Sequence, residues 1–342
     1  MSRSSNAACM AKPQGMERRM KIAFAGPFAV QLAEPVRAHL RSTCDIITEP
    51  DEAAVVAQLD DVDVLVSMGF DTAMAATASQ LRLLQVPGAG LDRVDQKALP
   101  AAAHLANVYG HEAGIAEYVM GAMIALTRSF ARIDASLRRG VWESQFAIDC
   151  APPPLWPELS GKTLGILGYG HIGEAIARRA LAFDMQVCAI RQNVPAKTPD
   201  GLSFIGGPDR LGDVLEQADV LVVTLPLSDA TRNLIAGPQL KLMKATSVLI
   251  NVARAEIINE AALYQALVDG DIAGTVLDVW YRYPTSSEPT LPATSPFHEL
   301  DNVIMTPHAS GWTEGMLAAR AKLIAENIER TANGAEPLNC VR

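Results

Sequence analysis

A glycine-rich turn between an apolar run and a helical stretch is the feature that most constrains how this chain folds. Residues 168–173, with the sequence GYGHIG, follow the apolar run 163–167 and precede the helical stretch 174–183. In such a setting the first glycine turns the chain, the second admits a phosphate close to the backbone, and the third lets the helix pack against the strand. N–H groups at the start of the helix then favour an anion. The pattern predicts a dinucleotide-binding βαβ unit whose contacting residues are Gly168, Tyr169, Gly170, His171 and Ile172.

The rest of the chain repeats this alternation of strand and helix. Short β-branched runs are followed by turns or Ala/Leu-rich stretches, the pattern of parallel strands joined by helices that cover both faces of a sheet. Strands are predicted at residues 21–25, 45–48, 62–67, 82–86, 163–167, 186–190, 220–225, 248–251, 275–279 and 303–306, and helices at 31–40, 72–79, 116–128 and 174–183. The prolines of residues 151–157 cannot lie inside a helix, so they mark a linker between two α/β series.

Length and charge bound the class of protein. The 342 residues are 49% hydrophobic and 20% charged, which is enough apolar mass for two ordinary domains. No apolar run approaches the about 20 residues that a membrane-spanning helix needs. The 29 basic and 38 acidic side chains leave a formal charge of -9, which opposes binding to nucleic acid or to an anionic membrane.

The cysteines and the N-terminal segment favour a reducing, cytoplasmic location. The five cysteines are scattered, without a CxxC pair or a His/Cys cluster at zinc-ligand spacing, so neither a disulfide framework nor a metal site is predicted. Residues 1–19 contain basic side chains but no apolar segment of the kind found in a secretory signal. They are predicted to form a mobile extension.

The residue at the end of the second strand of a βαβ unit selects the cofactor. An Asp or Glu there binds the adenosine ribose hydroxyl of NAD, whereas a cation accommodates the 2′-phosphate of NADP. Here the predicted strand 186–190 ends in Arg191, followed by Gln192 and Asn193, and no acidic residue occupies the position. A guanidinium beside amides suits a phosphate dianion. The sequence therefore predicts that NADP(H) is preferred over NAD(H), with Arg191 and Gln192 in contact with the cofactor.

Several blocks of sequence resemble the D-2-hydroxyacid dehydrogenases, the family that includes phosphoglycerate, glyoxylate/hydroxypyruvate, formate and phosphite dehydrogenases. The blocks, in the family's order, are residues 159–180, 218–232, 243–279 and 302–308. The resemblance implies an α/β fold of two Rossmann-like or flavodoxin-like domains. An NAD(P)-binding domain at 113–308 would be inserted into a split catalytic domain formed by 20–112 and 309–342. A homodimer is implied too, since the family commonly dimerises through the segment that includes the long helix.

The resemblance also implies roles for two side chains. In the family an arginine of an Asn-x-x-Arg segment binds the substrate carboxylate and carbonyl oxygen, and Arg254 of the segment NVAR matches it. A planar guanidinium can hold two oxygens at once and stabilise charge that develops on the carbonyl oxygen. The family's acid/base histidine lies in a Thr-Pro-His segment and matches His308. Histidine suits proton transfer because its ring ordinarily titrates near neutrality.

Backbone groups complete the site that the resemblance implies. A Gly-rich loop holds the substrate carboxylate through its N–H groups, and small side chains let the substrate approach the main chain. The matching residues are Pro87, Gly88, Ala89 and Gly90. Further contacts with the dinucleotide are expected from Leu225, Pro226, Thr231, Val252, Ala253 and Asp278.

The sequence departs from the family where a glutamate usually pairs with the histidine. Counting five residues from Asp278 places Tyr283 in that position without a gap. The stretch from Asp278 to His308 is also longer than usual, so a gap could place Glu288 there instead. Both remain candidate partners of His308, and Tyr283 is favoured. Nearby aromatic residues could form an apolar wall for the substrate or pack inside the protein: Trp280, Tyr281, Tyr283 and Trp312.

The function implied is an oxidoreductase that interconverts a 2-oxo acid and a (D)-2-hydroxy acid with NADP(H). A formate- or phosphite-type dehydrogenase is the alternative within the enzyme class, because the family's glutamate is absent from its usual position. A dinucleotide-sensing protein, similar to a corepressor, is the alternative outside it. No metal is required by any of these interpretations.

Overall fold

The computed structural model describes residues 18–150, 152 and 154–342. The predicted N-terminal extension falls almost wholly on residues 1–17, outside the described part. The chain divides into two compact units, Met1–Val108 with Ala321–Arg342, and Tyr109–Arg320. The predicted domain boundaries lie nearby, at 112/113 and 308/309, and they stay predictions. The later division falls inside a helix, because residues 309–320 pack with the second unit.

The first unit contains a five-stranded parallel sheet within its described residues. Its strands and helices, in chain order, are β1 (Met20–Ala25), α1 (Pro27–Arg37), β2 (Cys44–Glu49), β3 (Val64–Ser67), α2 (Thr72–Thr77), β4 (Leu83–Gln85) and β5 (His104–Ala106). The strand order β2-β1-β3-β4-β5 is the flavodoxin-like order. The four residues of β3 are fully buried, as expected for a central strand covered on both faces.

The C-terminal segment returns to this first sheet. Asn327 is completely buried; its amide donates to Gln85 Oε1 at 2.7 Å and to the Leu338 carbonyl at 3.0 Å, and it accepts from the Leu338 N–H at 2.7 Å. The Val341 N–H donates to the Leu105 carbonyl at 2.7 Å. These bonds join the C-terminal segment Ala321–Arg342 to the N-terminal part of the chain within one unit.

The second unit begins with two helices and continues as a doubly wound α/β domain. Its elements are α3 (Glu112–Thr127), α4 (Phe130–Arg138), β6 (Thr163–Leu167), α5 (His171–Leu181), β7 (Gln186–Ile190), β8 (Leu202–Gly206), α6 (Leu211–Gln217), β9 (Val220–Val223), α7 (Gly237–Leu240), β10 (Val248–Asn251), α8 (Glu260–Asp269), β11 (Gly274–Leu277) and β12 (Val303–Met305). The last helix, α9 (Glu314–Ala332), starts here and ends in the first unit.

A seven-stranded parallel sheet organises the described residues of the second unit. Its order is β12-β11-β10-β9-β6-β7-β8, so the strand order reverses beside β6. Alternate residues of β10 enter different cores: Val248 and Ile250 pack with α3 and α5, whereas Leu249 packs with α6 and α8. Ligands of such sheets bind at the carboxyl ends of the strands, next to the reversal.

The predicted α/β class is confirmed, and three strands match their predicted bounds: β6, β7 and β10. Helix α5 begins at His171, three residues before the predicted start, because its first turn lies inside the glycine motif. The short strands β5 and β8 and the helix α8 were not predicted. No helix of residues 18–150, 152 and 154–342 combines the length and apolar character required to cross a membrane.

Candidate active site

The second-unit residues predicted to bind cofactor or substrate all follow strands of one parallel sheet. The glycine motif follows β6, Arg191 follows β7, Arg254 follows β10, and His308 follows β12. The carboxyl ends of parallel strands lie at the same edge, so the sheet collects residues that are far apart in sequence. This edge is the candidate active site of the second unit.

The three glycines of the turn have the separate environments that a dinucleotide-binding turn requires. Gly168 has a φ of 104°, and a Cβ there would lie 2.9 Å from the Leu225 nitrogen. A Cβ on Gly173 would lie 2.7 Å from the Gly168 carbonyl oxygen. Beside Gly170, in contrast, no heavy atom of the described residues other than Gly170 and its two chain neighbours lies within 4 Å of such a Cβ. The close turn and the helix packing therefore leave open space at the second glycine, next to the N-terminus of α5.

Arg191 begins the segment that leaves β7. Its N–H donates to the Gly206 carbonyl of the neighbouring strand β8 at 3.0 Å, so the side chain starts from an anchored backbone. The buried Tyr169 lies near it: burial raises the pKa of the Tyr169 phenol, the Glu174 charge adds to this, and the Arg191 charge opposes it. Gln192 is exposed. The Arg191 charge thus acts on a residue of the glycine motif.

The loops after β9 and β10 place the other predicted cofactor residues. Thr231 folds its own loop, because its hydroxyl donates to the Pro226 carbonyl at 2.7 Å and accepts from the Ser228 N–H at 2.8 Å. Leu225 lies against Gly168, as described above. Val252 and Ala253 are buried at the end of β10.

Asn251 explains the spacing of the Asn-x-x-Arg segment. Its buried amide donates to the Arg254 carbonyl at 2.9 Å and accepts from the Ala253 N–H at 3.0 Å. Both bonds close the tight loop in which the Arg254 side chain begins. The Arg254 guanidinium donates to the Ala253 carbonyl at 2.8 Å, among its other contacts.

The turn that carries His308 is built around the carboxylate of Asp278. This carboxylate is fully buried at the end of β11. One oxygen accepts from the Thr306 hydroxyl at 2.6 Å and from the Ala309 N–H at 2.8 Å, and the other accepts from the Ser310 N–H at 2.9 Å. His308 itself has a φ of 56°, a left-handed conformation that is uncommon for a residue other than glycine. The carboxylate therefore holds the backbone on both sides of a strained residue.

Tyr283 is a hydrogen-bond partner of His308. Its phenolic oxygen lies 2.7 Å from His308 Nδ1 and also accepts from the Trp280 N–H at 3.4 Å. The loop that presents it is closed by a bond from the Arg282 N–H to the Pro292 carbonyl at 2.9 Å. Glu288 lies on the exposed part of this loop, where its N–H donates to the Ser286 hydroxyl at 3.2 Å. The geometry thus favours Tyr283 over Glu288 as the partner of the imidazole.

Neighbouring charges shift the pKa of the phenol in this pair. Burial raises the pKa of the Tyr283 phenol, and the charges of Asp278 and Glu256 add to the rise. The Trp280 N–H bond and the Arg254 charge oppose it. Arg254 follows β10 and His308 follows β12, so the sheet brings two residues that are 54 positions apart in sequence to one edge.

The predicted carboxylate loop belongs to the first unit, at the end of β4. Pro87 and Gly88 are buried, and the loop is held by its carbonyl groups: the Val108 N–H donates to Gly88 at 3.1 Å, and the Asn107 amide donates to Ala89 at 3.0 Å. Within the described part of the chain, the N–H groups of residues 88–90 donate to no protein acceptor. These N–H groups are suited to binding an anion.

A family model described as D-isomer specific 2-hydroxyacid dehydrogenase, NAD binding domain, matches residues 120–310. This chain belongs to that family. As a D-2-hydroxyacid dehydrogenase it is an NAD(P)-dependent oxidoreductase that acts on 2-oxo and 2-hydroxy acids, and the expected two-domain fold is that of its structural relatives.

Individual D-2-hydroxyacid dehydrogenases match most of the chain. A D-3-phosphoglycerate dehydrogenase of Methanocaldococcus jannaschii is 30% identical over 85% of this chain, which spans only 53% of that protein. A glyoxylate reductase of Pyrococcus furiosus is 32% identical over 83% of both chains. Among solved structures, a 2-hydroxyacid dehydrogenase from Ketogulonicigenium vulgare matches with a TM-score of 0.78 and 27% identity, covering 95% of this chain and 98% of that one.

The glycine motif of this dehydrogenase fits a nicotinamide dinucleotide. The open space at Gly170 and the adjoining N-terminus of α5 suit a pyrophosphate, since N–H groups and the helix dipole both favour an anion there. When bound, the nicotinamide ring supplies or accepts the hydride.

Two of the four aromatic residues near the site are interior. Trp280 is buried and its indole donates to the Thr306 carbonyl at 2.7 Å, while the Tyr281 hydroxyl donates to the Ile258 carbonyl at 2.9 Å. An aromatic wall made of all four is therefore wrong. Tyr283 and Trp312 remain about half exposed.

His111 is a buried polar residue that the sequence did not single out. It precedes α3, its Nδ1 is buried without a hydrogen-bond partner among the described residues, and neighbouring charges belong to Arg320, Arg254 and Glu112. Burial lowers the pKa of His111 to about 4, the two arginines add to this, and Glu112 opposes it. A lone histidine before a helix carries no sequence signal for such an environment.

His111 predicts a specific dependence of stability on pH. The unfolded chain takes up a proton at this position near pH 6.5, whereas the folded chain does so near pH 4, so stability is lost as the pH falls through that window. Replacement His111→Gln should remove this loss. Between pH 7.5 and pH 5, the unfolding free energy of the wild type, measured in urea, should fall by about 2 kcal/mol more than that of the variant.

The exposed His298 provides the matched control. His298→Gln makes the same substitution at an exposed histidine and should not reproduce the effect of His111→Gln. If the unfolding free energies of wild type and His111→Gln fall equally as the pH is lowered, the lowered pKa of His111 is contradicted.

Proposed function

We propose that this chain reduces a small 2-oxo acid to the (D)-2-hydroxy acid, and catalyses the reverse oxidation, with NADP(H) as the preferred cofactor. The observation that carries the proposal is the Tyr283–His308 pair, within reach of the Arg254 charge, at the carboxyl edge of a dinucleotide-binding sheet. A relative named glyoxylate reductase supports a small substrate of this kind.

Arg254 and His308 divide the chemistry of this proposal. The Arg254 guanidinium binds the substrate carboxylate and carbonyl oxygen, and it stabilises the negative charge that develops on that oxygen as hydride arrives. His308 donates a proton from Nε2 to the same oxygen, and it accepts the hydroxyl proton in the oxidation. Tyr283 holds the ring: with Nδ1 donating to the phenolic oxygen, the proton to be exchanged is the one on Nε2.

The remaining predicted residues bind substrate and cofactor in this proposal. The N–H groups of residues 88–90 hold the substrate carboxylate. The edge of the seven-stranded sheet holds the dinucleotide, with the glycine motif at the pyrophosphate and Arg191 and Gln192 at the adenosine 2′-phosphate. No acidic side chain follows β7 directly, which supports NADP(H) over NAD(H).

A homodimer is the proposed assembly. Large apolar side chains are about half or more exposed on α4 and the segment after it: Phe130, Leu137, Val141, Trp142, Phe146 and Ile148. Several of them line a groove of 540 Å³. Exposed apolar surface of this kind marks contact sites, and a second copy is the partner that the family resemblance implies.

Light scattering should give twice the mass of one chain for the wild type. Trp142→Glu places a charge on this apolar surface and should shift the protein toward monomer. A wild-type monomer would rule the dimer out.

A substrate panel tests the function. Glyoxylate, hydroxypyruvate, pyruvate and phenylpyruvate are assayed by the absorbance of NADPH and, separately, of NADH. At least one should be reduced, with a higher kcat/KM for NADPH, and Arg254→Ala should lower kcat/KM by about 100- to 1000-fold because it removes the cation at the developing charge. The matched control is Arg178→Ala, at an exposed arginine of α5, which should leave kcat/KM unchanged.

The panel also separates the competing functions. Turnover of formate or phosphite in place of the 2-oxo acids would replace the proposed substrate class. Tight NADPH binding without any turnover would favour a dinucleotide sensor. A higher kcat/KM with NADH would end the proposal of NADP(H) preference.

Replacing Tyr283 should change the pH dependence of reduction. A carboxylate beside the imidazole favours its protonated form, whereas the phenol, with its raised pKa, supplies no charge near neutrality. Reduction needs the protonated ring, so Tyr283→Glu should move the alkaline fall of kcat/KM to higher pH by about one unit. Glutamine has the size of glutamate without its charge, so Tyr283→Gln should leave the alkaline fall of kcat/KM where it is in the wild type.

Glu288 offers an internal check of the pairing. Because Glu288 is exposed and Tyr283 contacts the ring, Glu288→Gln should leave the pH profile unchanged. A large loss of kcat in Glu288→Gln would reverse the assignment.

A further inference from the structure

Thr306, two residues before His308, is held by hydrogen bonds at every polar group. Its N–H donates to the Leu277 carbonyl at 3.0 Å. Its carbonyl accepts from the Trp280 indole at 2.7 Å and from the His308 N–H at 3.0 Å. Its hydroxyl contacts Asp278 on one side and Tyr118, from helix α3, on the other. The position of the turn is therefore determined by groups from α3, β11 and the segment after β11.

The direction of the hydroxyl contacts follows from proton counting. The Asp278 carboxylate receives backbone N–H groups from Ala309 and Ser310, so it acts as an acceptor here. The single Thr306 hydroxyl proton is donated to it at 2.6 Å. The Tyr118 hydroxyl, 2.5 Å from the Thr306 oxygen, must then be the donor of that contact. A continuous relay runs from Tyr118 through Thr306 to Asp278.

The strained backbone of His308 requires surrounding hydrogen bonds of the kind that this relay supplies. A non-glycine residue with a φ of 56° persists only where the surroundings over-determine its conformation. The relay fixes the residue two positions before His308, and the Asp278 carboxylate fixes the two positions after it. If one bond of the set is lost, the imidazole is free to leave the geometry in which Tyr283 holds it.

We propose that Tyr118 is a positioning residue for His308: its hydroxyl completes the relay that holds the His308 turn in the geometry needed for proton transfer. The inference rests on the proposed function, in which His308 is the acid/base group. Burial supports the donor role, because it raises the pKa of Tyr118 to about 12 and so keeps the phenol protonated. The ring of Tyr118 packs against the core formed by α3 and α5, and this packing does not depend on the hydroxyl.

Tyr118→Phe isolates the hydroxyl, because the ring and its packing are retained. Reduction of the best 2-oxo acid from the panel should show a kcat about tenfold lower, with KM changed less than twofold, since the substrate contacts are intact. Tyr264→Phe is the matched control: the Tyr264 ring packs edge-on against Phe297, and its hydroxyl has no hydrogen bond within the described part of the chain. This control should behave as wild type.

A second pair of variants tests the relay itself. Thr306→Val should lower kcat as Tyr118→Phe does, and Thr306→Ser, which restores a hydroxyl, should recover most of the loss. The double variant Tyr118→Phe/Thr306→Val should be no worse than Thr306→Val alone, because both changes break one chain of bonds. Additive losses would show that Tyr118 acts by another route and would overturn the relay.

A readout without turnover separates this inference from the proposed function. In protein labelled with ¹⁵N-histidine, the His308 ring signals are identified by their loss in His308→Gln and followed through a pH titration by NMR. Tyr118→Phe should move their titration midpoint toward that of Tyr283→Phe, whereas Tyr264→Phe should not. If no 2-oxo acid is reduced but this shift is seen, the function fails and the positioning holds. If Tyr118→Phe matches Tyr264→Phe in the titration, the positioning role is refuted whether or not the enzyme turns over.

Discussion

The buried carboxylate of Asp278 is the interaction on which the candidate site depends. It is completely removed from solvent and is compensated by a hydroxyl and two N–H groups, all from residues 306–310. Removing those donors would leave a charge in the interior, which is far more costly than the loss of an ordinary hydrogen bond. The turn and the carboxylate therefore stabilise each other. Asp278 was expected to contact the dinucleotide, and that contact stays a prediction; the structure adds its role in holding the turn.

The parallel sheet supplies the second constraint. In β12-β11-β10-β9-β6-β7-β8 every pair of neighbours is parallel, so each strand delivers the residue after it to the same edge. Short hydrogen-bonded loops then keep those residues there: Asn251 closes the loop of Arg254, and Thr231 closes the loop after β9. A rigid edge with short loops places a cation, an imidazole and an anion-binding turn without requiring long ordered segments.

The phenol at position 283 changes the charge balance of this edge relative to the glutamate that is usual in the family. The phenol orients the imidazole but adds no negative charge near neutrality, since burial raises its pKa. The nearby His111 is also uncharged over most of the accessible pH range, because its pKa is lowered to about 4. Neither the phenol nor His111 adds charge at this edge near neutrality, so a carboxylate that would support the imidazolium is missing at position 283.

Local sequence determined the elements whose cause is local. The glycine motif and the strands β6, β7 and β10 were predictable because glycine conformations and β-branched runs act within a few residues. The Asn-x-x-Arg segment was identified by its resemblance to the family, and the structure adds the bonds of Asn251 that close its loop. Strand β8 was missed because its pairing with β7, more than its own pattern, stabilises it. Helix α8 was missed although it has local signals, an N-cap at Asn259 and a left-handed Gly270 at its end. Sequence also left Tyr283 and Glu288 both open, since the choice depends on how the loop closes between Arg282 and Pro292. The contacts around His308 could only come from the tertiary structure: Tyr118 and Thr306 are 188 positions apart, and a hydrogen bond at that separation leaves no pattern in a single chain until the sheet and helix α3 have packed.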